Sequence, residues 1–126
     1  MMKIGTFEDM EVWQRASELV RDIYSVSNQG HFAQDWTLRD QIRRATISIM
    51  SNVAEGFERS GNREFIRFLY SSKASAAEAR SQLYIAFDLD YLDEATFQAL
   101  KGKLSSISRQ LSAFIKYLEQ HPRSTS

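Results

Sequence analysis

Seven residues, Phe65, Leu69, Ser72, Ala76, Ala79, Leu83 and Ala86, follow one another at alternating spacings of four and three without a slip. That period lines one face of a long helix, because the side chains of a strand would repeat every second residue. A second run with the same alternation, Phe97, Leu100, Leu104, Ile107, Leu111, Phe114 and Leu118, begins after the short break Leu92-Asp93-Glu94. Two long amphipathic helices joined so briefly must lie side by side. Ser72, Ala76 and Ala79 put small residues in the middle of the first run, so a neighbouring helix can come close there.

The chain before them reads as helix too. Val12, Ala16, Leu19, Ile23 and Val26 share a face that Trp13 and Val20 widen, which predicts a helix over about 7–26. Ser27-Asn28-Gln29-Gly30 ends it, with Gly30 suited to a left-handed cap, and a loop follows from His31 to Trp36. Thr37 is the expected N-cap of a second helix over about 38–59, with Asp40 in its first turn. Ser60-Gly61 breaks the chain, and Asn62 is the expected cap of the helix over about 63–89, with Glu64 in its first turn. Asp93 is expected to cap the last helix, over about 94–119, and Pro122 to end it. Only 5 Gly and 1 Pro in 126 residues fit few turns and a single domain. The expected fold is all-α, an antiparallel up-down-up-down four-helix bundle.

The second helix is more apolar than one core requires. Gln41, Arg44, Ser48, Ser51, Glu55 and Arg59 fall on a polar stripe, and Ile42, Ala45, Thr46, Ile47, Ile49, Met50, Val53, Ala54 and Phe57 fill most of the rest. That arc spans about 200°, roughly twice the stripe of an ordinary surface helix. With Trp13, Phe32, Trp36, Tyr70 and Tyr84 it would leave a large apolar patch on a monomer, of the kind that marks protein contacts. Either copies of the chain cover it, or the helix lies deep beneath the loop of Phe32 and Trp36. Trp13, Ile47, Met50 and Phe57 are the candidate interface residues, Ile47 and Met50 because they lie off the core stripe of Ile42, Ile49 and Val53.

Catalytic chemistry is scarce. There are no cysteines, which removes disulfides, thiolate metal sites and thiol nucleophiles together and fits a reducing compartment. Asn28 and Leu118 stand three residues before His31 and His121, so the Glu-x-x-His pattern of paired-metal bundles is absent. Glu55 has Arg59 four residues on, the spacing of a surface ion pair, and Glu78 has Gln82. Gly56 and Gly61 form no nucleotide-binding loop. Neither an enzymatic activity nor a metal or other cofactor is expected. Met1-Met2-Lys3-Ile4-Gly5-Thr6 lacks the apolar stretch of a signal peptide, and no run is long enough to span a membrane, so the expected location is the cytoplasm. Sixteen basic residues balance sixteen acidic ones, so any contact with nucleic acid or lipid must be local.

The run Gln41-Ile42-Arg43-Arg44-Ala45-Thr46-Ile47-Ser48-Ile49-Met50-Ser51-Asn52-Val53-Ala54-Glu55-Gly56, followed by Arg59, Glu64, Phe68 and Leu69, resembles the signature of the four-helix proteins linked to intervening sequences in 23S ribosomal RNA. Phe7-Glu8-Asp9-Met10 with Val12-Trp13-Gln14, Ala16, Leu19, Ile23 and Tyr24 is similar to that family's first helix. Ser75, Glu78, Gln82, Leu83, Ala86, Leu89, Tyr91 and Leu92 are similar to its third. The resemblance implies an antiparallel bundle in a homopentameric ring, encoded within ribosomal RNA insertions or standing alone in bacterial genomes. Its relatives include the accessory protein of diversity-generating retroelements, a basic pentamer that binds nucleic acid and a reverse transcriptase. Met50 stands where the family often has Pro, so the second helix is expected to run straighter, and the neutral charge lacks the basic excess of the retroelement relatives.

Two functions follow as expectations: an oligomer associated with structured RNA or DNA, or an oligomeric scaffold that recruits a protein partner. For the first, Arg43, Arg44, Arg59 and Arg63 are the candidate nucleic-acid contacts, since fivefold repetition would gather them into a basic ring. Arg43 falls inside the apolar arc, where it needs an ion pair or a route outward.

Overall fold

The structure, a computed structural model, describes residues 5–121 and is all helical there, with no strand. Pro122 and the segment Met1–Ile4 lie outside the described residues. A 3₁₀ turn at Phe7–Asp9 precedes α1 (Glu11–Ser27), a short α2 (Gly30–Gln34), α3 (Trp36–Glu58), α4 (Asn62–Asp88) and α5 (Glu94–Gln120). The most extensive packing is α3 on α4, followed by α4 on α5 and α1 on α3, with α1 meeting α5 more sparsely.

The start of α1 differs from the expected helix over 7–26. Met10 is extended, with ψ of 125°, and this break turns its side chain inward to 2% exposure. It also sets the Phe7 ring edge-on to Trp13, with centroids 5.3 Å apart. Gln14 stitches the turn by donating from Nε2 to the Glu8 carbonyl at 2.8 Å.

The expected loop from His31 to Trp36 is instead largely the short helix α2. Gly30 enters it with φ of 53°, the left-handed geometry that glycine tolerates without a Cβ clash. Phe32, placed by the sequence on a surface patch, is fully buried and stacks on Tyr91 at 5.3 Å. The N-cap of α3 is Asp35 rather than Thr37, its carboxylate accepting from the Leu38 amide at 3.1 Å. The same carboxylate accepts from the Tyr91 hydroxyl at 2.9 Å, tying the entry of α3 to the turn before α5. Trp36 therefore begins α3 and remains 69% exposed.

At α4 the expected cap, Asn62, is the first helical residue, and Gly61 holds the cap position with φ of 86°. The Asn62 side chain is directed elsewhere, donating to the Leu118 carbonyl at 2.6 Å near the end of α5. Asp93 caps α5 as its sequence position predicts, accepting from the Thr96 amide at 2.7 Å.

All seven residues of the α4 stripe are buried. In α5 the stripe slips by one residue near its end, so Ile115 is buried and Phe114 only half-buried. The cause is geometric: a helix of about 3.6 residues per turn drifts away from a strict 3.5-residue repeat. Phe114 lies instead at the rim, edge-on to Phe65 at 5.4 Å.

Between α3 and α4 the small residues work as a close-packed seam. Ser72 donates from Oγ to the Ile49 carbonyl at 2.7 Å, and Ser75 donates to the Ser48 hydroxyl at 2.9 Å. Ser48, read from the sequence as part of a solvated stripe, is thus half-buried against α4. Farther along, Gln82 lies within 3.5 Å of Gln41. The helix α3 runs unbroken through Met50.

Two substitutions of the same kind should have opposite signs. A Cβ on Gly56 would lie 2.6 Å from the Phe68 Cβ and 3.0 Å from the Phe65 ring, whereas one on Gly102 would meet nothing. Gly56→Ala should destabilise by about 1–3 kcal/mol, more than the roughly 1 kcal/mol that helix propensity returns. Gly102→Ala should stabilise by about 0.5–1 kcal/mol. Urea unfolding of the two variants beside wild type checks both.

The Tyr91–Asp35 hydrogen bond has a pH signature. It holds the Tyr91 hydroxyl above its usual range, with burial and the Asp35 charge adding to the effect. A raised pKa means that this contribution is complete below about pH 10, the value for an unfolded tyrosine, and is lost as pH rises through the folded value. Tyr91→Phe keeps the ring stacked on Phe32, so it should remove this alkaline loss and lower stability at neutral pH. Unfolding midpoints between pH 7 and 11.5 test the claim, and parallel curves for the two proteins would refute it.

Candidate nucleic-acid interface

The four arginines singled out by the sequence occupy three different surroundings. Arg43 leaves α3 on the side of α1, half-buried; its Nε donates to the Ser27 hydroxyl at 2.8 Å and its guanidinium lies 4.3 Å over the Tyr24 ring. A buried hydroxyl and an aromatic face thus hold the cation where an ion pair was one expectation. Arg44, one residue on, is turned about 100° around the helix and enters a groove between α3 and α4. That groove, of about 770 Å³, is also lined by Trp36, Asp40, Gln41, Ser48 and Glu78.

Arg59 lies just past the other end of α3, roughly 22 Å from Arg44 at about 1.5 Å per residue, and Arg63 stands in the first turn of α4. Arg59 donates to Glu55 at 3.1 Å, the i,i+4 pair its spacing predicts, and lies 5.1 Å over the Phe68 ring. Arg67, which the sequence reading passed over, lies 5.0 Å over the same ring and bonds Glu64 through two nitrogens at 2.9 and 3.2 Å. The Glu-x-x-Arg spacing was the available signal for that pair. Glu64 is held below the usual carboxylate range, chiefly by the Arg67 hydrogen bond; partial burial opposes this, and the charges of Arg67, Arg59 and Arg63 reinforce it. Arg63 itself is exposed. No single chain brings the four together into one patch.

The four candidate interface residues are also scattered. Trp13 is half-buried beside Phe7, Met50 packs partly buried on the core, and Phe57 meets Phe65 edge-on at 5.9 Å. Ile47 alone of the four stands largely clear, at 38% exposed. More apolar surface lies on α4, where Tyr70, Ile85 and Leu89 are about half exposed (54%, 47% and 50%). Ile85 and Leu89 were missed because they lie outside the regular stripe. Among the described residues no group of three His, Asp or Glu side chains is placed to hold a metal ion.

Residues 8–113 match the family model described as 23S rRNA-intervening sequence protein. Among solved structures, the chain is similar to a protein of unknown function from the S23 ribosomal protein family of Bacteroides thetaiotaomicron VPI-5482, at 20% identity and a TM-score of 0.76. The match covers 83% of this chain and 98% of that one, and at this identity it shows the fold alone. No curated protein matches the chain.

Proposed function

Because the chain belongs to the 23S rRNA-intervening sequence protein family, we propose that it is a non-enzymatic protein that assembles with copies of itself and holds structured RNA by its phosphate backbone. The observation that carries the RNA part is a contrast among arginines. Arg59 and Arg67 are paired with carboxylates, whereas Arg43 and Arg44 make no ion pair among the described residues. Unneutralised guanidinium groups suit phosphate oxygens, which they can bind two at a time.

The proposed scaffold is an antiparallel up-down-up-down four-helix bundle. Supporting it, the α3–α4 contacts join Gln41 to Gln82, Ser48 to Ser75 and Ile49 to Ser72, one number rising as the other falls. The α4–α5 contacts do likewise, from Phe65–Phe114 to Tyr84–Phe97. Five copies in a ring is the number that family resemblance favours, and the cytoplasm is the location that ribosomal RNA as a partner would require. The absence of catalysis is supported by Glu55, which Arg59 engages. No helix among the described residues is long and apolar enough to cross a membrane.

A second reading, a scaffold for a protein partner, is favoured by Trp36, whose 69% exposure is unusual for an indole. Gel shifts with a structured RNA across a salt series separate the two. Binding that falls steeply with salt is expected. No shift at low salt and tens of micromolar protein would retire the RNA reading.

Self-association has its own test. Ile47→Glu should lower the mass seen by light scattering with helicity kept, since Ile47 is exposed. Met50→Glu is a poorer probe, because Met50 packs against the core and the change would disturb the fold as well. A wild-type monomer at micromolar concentration would overturn assembly.

A further inference from the structure

We propose that the concavity at the C-terminal end of α1 binds the phosphodiester backbone of RNA, an assignment that rests on the nucleic-acid reading above. It has a volume of about 580 Å³ and is lined by Arg21, Tyr24, Ser25, Asn28, Gln29 and Arg43. Two cations stand there with no carboxylate in the lining. The groove beside Trp36 sets Asp40 and Glu78 against Arg44, and a groove between α1 and α5 sets Glu18 against Arg15 and Lys103. Those two surfaces set carboxylates among their cations, and this one does not.

Two acids close to these arginines in sequence are engaged elsewhere. Asp22, adjacent to Arg21, faces α5 and pairs with Lys103 at 2.5 Å. Asp40, on the turn of α3 before Arg43, accepts from Arg39 at 3.1 Å. Among the described residues the Arg21 side chain makes one hydrogen bond, a long one of 3.3 Å to the Ser17 hydroxyl. Arg21, Tyr24, Ser25 and Asn28 follow the i, i+3, i+4, i+7 spacing of a single helical face, so their side chains open to the same side.

Arg43 is already fixed. Fully buried Ser27 accepts from its Nε, and the Tyr24 ring lies beneath its guanidinium, so both terminal nitrogens stay available. A guanidinium held before the ligand arrives loses little rotamer freedom on binding. Ser27 acts here as a positioning residue. The end of α1 opposes an anion with roughly half a negative charge, which two whole positive charges outweigh. The Ser25 and Val26 carbonyls are also partly occupied, accepting from the Asn28 and Gln29 amides at 3.4 Å. With Arg43 covering one face of Tyr24 and both guanidinium groups offering donors alone, the contacts that carry the binding are to phosphate oxygens, and those contacts are independent of sequence.

The test is fluorescence anisotropy of a labelled RNA hairpin titrated with the full chain at several salt concentrations. Arg21→Gln and Arg43→Gln should each weaken binding at least about threefold and lower the salt slope by about one. Arg80→Gln removes the same charge from the exposed face of α4 and should do neither. Arg21 is exposed, so its variant keeps the test open should Arg43→Gln disturb the fold. Wild-type binding with both variants matching Arg80→Gln would overturn this site while leaving the RNA reading intact. Failure of the wild type to bind the hairpin at low salt would overturn both.

Discussion

The close approach of α3 to α4 is the constraint on which the rest of this structure depends. Gly56 has no room for a Cβ against Phe68 and Phe65, and Ser72 comes near enough to hydrogen-bond the Ile49 carbonyl. Backbones brought that close leave no space for large side chains between them, so the bulk of the core moves to the other faces. Phe65 accordingly packs against Phe57 and Phe114 around the end of the seam, and the larger residues of α5 fill the side of α4 turned away from α3. One helix lined with small residues thereby fixes the positions of its two neighbours.

Polar links at the helix ends complement that apolar order. Asp35 caps α3 and receives the Tyr91 hydroxyl, while the ring of Tyr91 covers buried Phe32. Asn62 reaches from the start of α4 to the last turn of α5. Each of these groups satisfies a backbone or carboxylate group that would otherwise be left with water alone. They also determine what reaches the surface, since a cap at Asp35 starts the helix at Trp36 and leaves the indole outside.

Periodicity made the four long helices legible, and the small residues of α4 announced the close seam because both signals are local. What the sequence could not show was pairing across distance. Thr37 and Asp35 are both good caps; the choice between them was made by Tyr91, 56 residues away. Phe32 looked exposed because its covering ring belongs to that same remote turn. The stripe in α5 drifted for a reason visible in helix geometry but not in a residue count. Among the arginines, Arg59 and its partner were readable from an i,i+4 spacing. Arg43 was not, since the hydroxyl and ring that hold it come from α1. Adjacent numbers also concealed that Arg43 and Arg44 open into different grooves, one beside α1 and the other beside α4.

The seam between α1 and α5 is of another kind. It is sparse, carries an open glycine at Gly102, and is joined by Lys103 to Asp22, Arg15 to Ser106 and Gln110 to Glu11, pairs separated by 81, 91 and 99 residues. Chain entropy opposes closing such long loops, whereas α3, α4 and α5 meet through short turns. Each helix can thus meet its neighbour in sequence across a short connection, and the seam between α1 and α5 closes the structure through its most distant and most hydrated bonds. The helix that supplies Tyr24 and Ser27 to Arg43 is therefore one of the two whose meeting completes the molecule.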